Sequence, residues 1–379
     1  MSRRSTSSVG LAVLATLVLA TSVSAAPPNW TAPETIRERN NLSLNDADFS
    51  GSNVAISWQE PTSGAPRIGV ATQVEGGFGP LEFISGSRES SVDICGSALY
   101  AAWERKVAPG KWRVVYSDRS IDMNDLHSGI QQVAPGPDTQ KLPDIACTNA
   151  RVFVTWYQPE SGGDRMFVAH RLYGDFSDPI DLGLDDETFF FNSLAVSAVN
   201  NAAYTVFQRS DGDLRLKRFT IGAGLAFNVT PHATQVIAPG TINDPASYAV
   251  IDAEGSKVAV AWFRCNALYA RVSNDRGQTW GPIRKLLDTA SCDGDFAAAP
   301  NSIAIDGSKI VVTYSAASAF GGGWIGLFRT NNDFASFSDD MITSNFHPEH
   351  LVGYVTVAGV TKLAAAFERP GVIRFRRQK

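Results

Sequence analysis

The sequence predicts an all-β chain folded as a single seven-bladed β-propeller of four-stranded antiparallel blades, closed by its N-terminal strand. Three observations carry this prediction. A strand-like run ending in an aromatic residue recurs seven times, each run lies between two other strand-like runs, and the last unit stops after its third strand, one short of the others. Four-stranded units recurring at roughly 40 to 50 residues are the signature of a radial propeller.

Composition sets the frame. A chain of 379 residues exceeds the ~250 to 300 at which a single core normally splits, unless it is built from repeats. Apolar residues make up 44% and charged residues 19%, which allows a buried core and excludes intrinsic disorder. The net charge is -5 with no block of Lys or Arg, so a nucleic-acid partner is excluded on electrostatic grounds. The 32 Gly and 19 Pro, with many Val, Thr, Phe and Trp, favour strands joined by turns.

The elements follow in chain order. Residues 1–25 read as a secretory signal: Arg3 and Arg4, an apolar run from Val9 to Ala20, and small residues at Val23-Ser24-Ala25. That run is too short to span a bilayer, and no later run reaches ~18 consecutive apolar residues. The expected product is a secreted monomer, extracellular or periplasmic, with no membrane span and with residues 26–379 as one propeller domain. Trp30 to Ile36 resembles Trp280 to Leu286, the fourth strand of the fifth unit, and is expected to complete the seventh unit. The seven aromatic-ended strands finish at Trp58, Trp103, Trp156, Phe207, Trp262, Tyr314 and Phe367, spaced 45, 53, 51, 55, 52 and 53 apart. An apolar strand precedes each, as at Ser302 to Ile305, through a turn bearing Gly or Asn such as Gly51, Gly96 or Gly255. An alternating strand follows, as at Arg67 to Thr72, and a weaker fourth ends most units, as at Pro282 to Leu287. At this spacing seven units use nearly the whole chain, so the length is that of one ring.

After the third strand of the fifth unit comes Ser273-Asn274-Asp275-Arg276-Gly277-Gln278-Thr279-Trp280. It resembles the Asp-box, S-x-D-x-G-x-x-W, of sialidase-like (BNR repeat) propellers, a structural motif of Ser273, Asp275, Gly277 and Trp280. Asp and Ser bond backbone amides there, Gly takes an unusual backbone angle, and Trp packs between blades. Degenerate copies stand at Thr220 to Phe227 and Thr330 to Phe337. Sialidases have six blades and an Arg-Ile-Pro triplet at the first inner strand, which supplies one arginine of a carboxylate-binding triad; this chain has seven units, and Asn40 to Asn45 contains no such triplet. Polysaccharide lyases and lectins are among the seven-bladed proteins of similar shape.

On such folds ligands sit on the axis, at the face made by loops entering the first strand and leaving the second. The second residue after each aromatic is Glu60, Arg105, Gln158, Arg209, Arg264, Ala316 or Arg369, so Arg105, Arg209, Arg264 and Arg369 occupy one register position. They are candidate ligands for a carboxylate or sulfate. Paired carboxylates can act as acid and base, or nucleophile, on a glycosidic bond, and Glu60, Glu104, Asp295 and Glu368 are the catalytic candidates. Tyr157 joins them because sialidase-like enzymes employ a Tyr. Exposed ion pairs between blades explain the same charged residues without any ligand. The expected partner is a glycan or polysaccharide; a sialidase-like hydrolase, a polysaccharide lyase and a lectin-like or protein-binding module all remain open. No cofactor motif is present. His347 and His350 lack a third ligand, and Pro348 disfavours a helix, so no metal is expected. In an oxidising compartment the four cysteines suggest two bridges: Cys265 with Cys292 across the mouth loops, and Cys95 with Cys147 at equivalent places in neighbouring units.

Overall fold

Seven antiparallel sheets form a ring in the computed structural model, each sheet a blade with its first strand innermost. The structure describes residues 31–379 except 75–76, 124, 137–138, 149–150, 162, 172–173, 185–193, 200, 223–227, 242–243, 245, 265–266, 289–295, 319–322, 344–349, 359 and 370–371. Asp295, Cys265, Cys292 and His347 therefore lie outside the described residues. The seven inner strands are Ser43–Ser50, Ser87–Cys95, Lys141–Thr148, Leu194–Val199, Ser247–Glu254, Phe296–Asp306 and His350–Val357.

Blade seven is completed as the sequence predicts. Glu34–Glu38 pairs antiparallel with Val372–Arg377, Glu34 opposite Phe375 and Glu38 opposite Val372. The Thr31 amide donates to the Arg377 carbonyl at 2.9 Å. In blades one and four the outer strand is broken, into Gly77–Phe78 with Glu82–Ser85 and Val229–Pro231 with Gln235–Ala238. Pro80 and Pro231 stand at these breaks and have no N–H to donate to a ladder.

The aromatic that ends each second strand is buried in all seven blades, between 0 and 2% exposed. These side chains fill the space between blades, so the core is a set of inter-blade layers. Trp58, for example, clusters with Ile373 and Phe375 of blade seven. Two of the rings lie over a cross-strand glycine. A Cβ on Gly69 would stand 2.3 Å from Trp58, and one on Gly326 would stand 2.4 Å from Tyr314, so side-chain-free positions make room for the large rings.

The Asp-box forms the turn between the third and fourth strands of blade five. Ser273 Oγ accepts from the Gly277 amide at 2.8 Å, and Asp275 Oδ1 accepts from the Gln278 and Thr279 amides at 3.0 and 2.8 Å. Trp280 packs on the layer between blades four and five. The copy in blade six keeps the geometry with other side chains: Thr330 Oγ1 accepts from the Phe334 amide at 3.1 Å, and Asn332 Oδ1 from the Ser336 amide at 3.0 Å. The copy at Thr220 to Phe227 lies mostly outside the described residues. Gly277 has φ +72, where a Cβ would also meet Tyr204 at 3.2 Å. Gly277→Ala is expected to lower unfolding free energy by about 1–2 kcal/mol. Urea titration with an unchanged slope and a lower midpoint would show it, and a wild-type midpoint would refute it.

Candidate functional site: the axial channel and its mouth

The inner strands leave their axial edges unpaired, a cost that any open sheet edge must meet. Here side chains of blades one, two, three, five and six reach inner-strand amides of the next blade. Asp46 and Asp48 of blade one accept from the Val92 and Ile94 amides of blade two at 2.8 and 2.9 Å. Asp93 of blade two accepts from the Cys147 amide of blade three at 2.5 Å, and Asp144 of blade three from the Val196 amide of blade four at 2.8 Å. Asp252 and Glu254 of blade five accept from Ile305 and Gly307 of blade six at 2.8 and 2.5 Å. The Ser302 hydroxyl of blade six accepts from Val352 of blade seven at 3.3 Å. Cys95 and Cys147 join blades two and three covalently in the same relay, with a Cα–Cα distance of 6.0 Å. That bridge agrees with the sequence expectation.

These acids surround an axial cavity of about 780 Å³ whose lining includes Asp46, Asp48, Asp93, Asp144, Asp252, Glu254 and Asp306 and, among the described residues, no Lys or Arg. Burial among the strands raises Asp48 and Asp144 to about 7 and Asp252 to about 6, and it also raises Asp46 and Asp93. Unfolded, these groups would titrate near 3.9. The folded protein therefore holds protons that the unfolded chain releases between about pH 4 and 7, and this stabilisation fades as pH rises through that window. Asp275 has the opposite sign: bonds from Thr279 and Ser273 lower it to about 2, so its contribution is lost as pH falls below ~4. The melting temperature is expected to peak near pH 4 to 5, and Asp252→Asn, which keeps an acceptor for Ile305, should flatten the decline from pH 5 to 7. An optimum at pH 7 or above would contradict this assignment.

At the mouth, the residues just after the aromatics act on the next inner strand. Gln59 accepts from the Glu89 amide at 3.2 Å, Glu104 from Leu142 at 2.8 Å, and Glu368 from Leu44 at 3.0 Å. Glu89 and Leu142 have φ 41 and 52 at bulges that re-aim their strands, and such strained amides need a fixed acceptor. Glu104 also pairs with Arg88 at 2.6 Å, Arg88 stacking on Trp112 at 4.1 Å. Burial raises the Glu104 carboxyl, against the pull of the Leu142 amide and Arg88. Tyr157 is 2% exposed inside the layer between blades three and four.

Of the register-matched arginines, Arg209 donates to the Leu182 carbonyl at 2.9 Å. Arg264 pairs with Asp244 at 2.7 Å and donates to the Pro239 carbonyl at 2.8 Å. Arg105 is exposed, and its side chain makes no hydrogen bond or ion pair among the described residues. Arg369 ends the strand Val360–Arg369, and its side chain is outside the described set.

Glu60 stands apart from the other carboxylates, in a cluster that the register reading missed. It is fully buried at the seam between blades seven and one, where Arg37, Arg39 and Arg67 reach it at 2.7, 2.9 and 2.6 Å and Trp58 Nε1 donates at 3.1 Å. Arg37 comes from the N-terminal strand, Arg39 from the segment that follows it, and Arg67 from the strand beside Glu60. Burial alone would raise this carboxyl, but Arg37 and Arg67 outweigh it and hold Glu60 at about 2. Glu60, Glu104, Tyr157 and Glu368 are thus spread over separate blades, and each of the three carboxylates is engaged with an amide or a guanidinium.

No family model matches the chain, and no curated protein matches its sequence. Solved structures do match. The phage phi92 endosialidase is 10% identical over 93% of this chain and 69% of its own, with a TM-score of 0.50. Trypanosoma rangeli sialidase is 12% identical with a TM-score of 0.44, and the match covers 93% of this chain and 60% of that longer one. A subtype N10 neuraminidase-like protein of A/little yellow-shouldered bat/Guatemala is 9% identical, covering 77% and 94%, with a TM-score of 0.47. At such identities the likeness is one of fold.

Proposed function

We propose that this sialidase-like propeller is an exported carbohydrate-binding protein that holds an acidic glycan against its mouth face. The observation that carries the reading is the division of labour at the mouth: Glu60, Glu104 and Glu368 are engaged within the fold, whereas Arg105 presents an exposed guanidinium with no ion pair among the described residues. Guanidinium forks recognise carboxylate and sulfate groups bidentately. Binding without turnover is favoured because Glu60, Glu104 and Glu368 lie on separate blades, each engaged within the fold, and Tyr157 is buried in the layer between blades three and four. Export agrees with the Cys95–Cys147 bridge, which an oxidising compartment maintains. Among the described residues no helix is long and apolar enough to cross a membrane.

A glycan array run beside a panel of sialosides and uronic-acid polysaccharides, with product release followed in parallel, tests the proposal. Retention of acidic glycans without turnover, weakened in Arg105→Ala, is expected. Turnover would return the chain to the enzyme class, and absence of binding to any sugar would end the carbohydrate reading.

A further inference from the structure

We propose that Cys95, Cys147 and Asp93 form a thiolate site for a soft divalent cation of the zinc class, which clasps blades two and three when the bridge between them is reduced. The inference does not depend on the carbohydrate reading. It rests on where the inner strands place these three residues.

Strand register brings the ligands together. Cys95 ends Ser87–Cys95, and Cys147 stands one residue before the end of Lys141–Thr148, the neighbouring inner strand. Asp93 lies two residues before Cys95, and residues two apart in a strand share a face. Its carboxylate reaches across the seam to the Cys147 amide at 2.5 Å, so the acid is held beside both cysteines. One carboxylate oxygen of Asp93 and the two sulfurs all lie within 4.8 Å of one another. A tetrahedral zinc ion with Zn–S near ~2.3 Å and Zn–O near ~2.1 Å spaces its ligand atoms by roughly 3.6–3.8 Å. Rotation of short side chains on strands whose Cα atoms are 6.0 Å apart brings the three atoms to that spacing. Asp48 of blade one, hydrogen-bonded to Asp93, stands next in line as a fourth donor.

Access and selectivity follow from the surroundings. All four residues line the axial cavity, which holds further acids and, among the described residues, no Lys or Arg. A cation therefore has an open approach and a negative field to enter. The two sulfurs choose the metal: thiolates favour zinc-class ions, whereas calcium and magnesium take oxygen ligands. A ring of acids alone would not make that choice.

Bridge and metal exclude each other. A dithiol breaks the Cys95–Cys147 bond, supplies two electrons and two protons to the pair of sulfurs, and leaves as its own disulfide. The cation then takes the place of the two thiol protons, which pass to solvent. Oxidised, the two blades are joined by a covalent bond; reduced, they are joined through the ion, so the seam stays fastened in either state.

The test uses the full chain carrying Cys265→Ser and Cys292→Ser, so that only these two thiols remain. The protein is reduced with a dithiol, freed of it under argon, and titrated with cadmium, a zinc-class probe whose thiolate complexes absorb in the ultraviolet by charge transfer. One equivalent of cadmium is expected to raise that absorption and zinc to abolish it by displacement, while the oxidised protein shows none. Asp93→Asn keeps an oxygen for the Cys147 amide but is a poor metal ligand, and it should weaken cadmium binding at least about tenfold. A reduced protein without the band, equal affinity in Asp93→Asn, or an unchanged band in Cys95→Ser would overturn the site. Circular dichroism checks that each variant folds. If the serine background does not, the comparison is made in the wild-type chain, where Cys95→Ser should lower cadmium uptake by one equivalent and an equal uptake would refute the proposal.

Discussion

Removal of residues 31–38 is expected to abolish cooperative unfolding of the ring. The deletion strips the outer strand from Val372–Arg377 and bares a row of backbone groups that now pair with Glu34–Glu38. It takes Ile36 out of the layer between blades seven and one and removes Arg37, a partner of Glu60. Arg67 and Trp58 still reach Glu60, so losing the Arg37 bonds costs about 1.5–3 kcal/mol, against a total stability of about 5–15 kcal/mol for a folded domain. Lost ladder bonds and apolar burial add to that, so the truncated chain should unfold broadly, with circular dichroism and tryptophan fluorescence giving different midpoints. One sharp transition at the wild-type midpoint in both signals would show that the ring does not depend on this strand.

Glu60→Ala is expected to cost about 3–5 kcal/mol, because it leaves three guanidinium groups facing one another with no counter-charge. Its pH dependence distinguishes it from a simple cavity. The folded Glu60 titrates at about 2, below the ordinary glutamate value near 4.3, so its contribution is complete above that ordinary value and fades as pH falls toward 2. The gap between wild type and variant should therefore narrow on acidification, as urea midpoints from pH 7 down to 2.5 would record. A gap that stays constant would mean that the side chain acts by packing alone.

The ring was legible in the sequence because each blade writes its second strand in the same letters: Trp58, Trp103 and Trp156 mark a position that must be large and apolar in every unit. The N-terminal closure was legible for a related reason, since a strand missing at one end had a match at the other. The relay around the channel was not read, because its acceptors are side chains and its donors are backbone amides, which leave no trace in residue identity. A signal was present all the same: Asp46, Asp93, Asp144 and Asp252 interrupt strands that are otherwise apolar, and a charge at such a position needs a partner. The arginine cluster was hidden more deeply. Arg37 and Arg39 belong to the segment that enters blade one, Arg67 to a strand inside it, and only the closure of the ring brings the N-terminal strand against Glu60. Reading Glu60 by its place in the repeat compares equivalent positions and says nothing about neighbours across a seam.

The joining of the two ends in one blade also imposes an order in time. Thr31 and Arg377 bond across 346 residues, so the chain can assemble six blades while it is being made, but the seventh waits for the last strand. Loop-closure entropy grows only slowly with length, about 0.6 kcal/mol for each doubling, so the long wait adds little to the final equilibrium. Its consequence is kinetic. Until Val372–Arg377 is in place, the N-terminal strand is a free segment and its berth does not exist, and in a crowded refolding mixture the berth on one molecule is open to the strand of another.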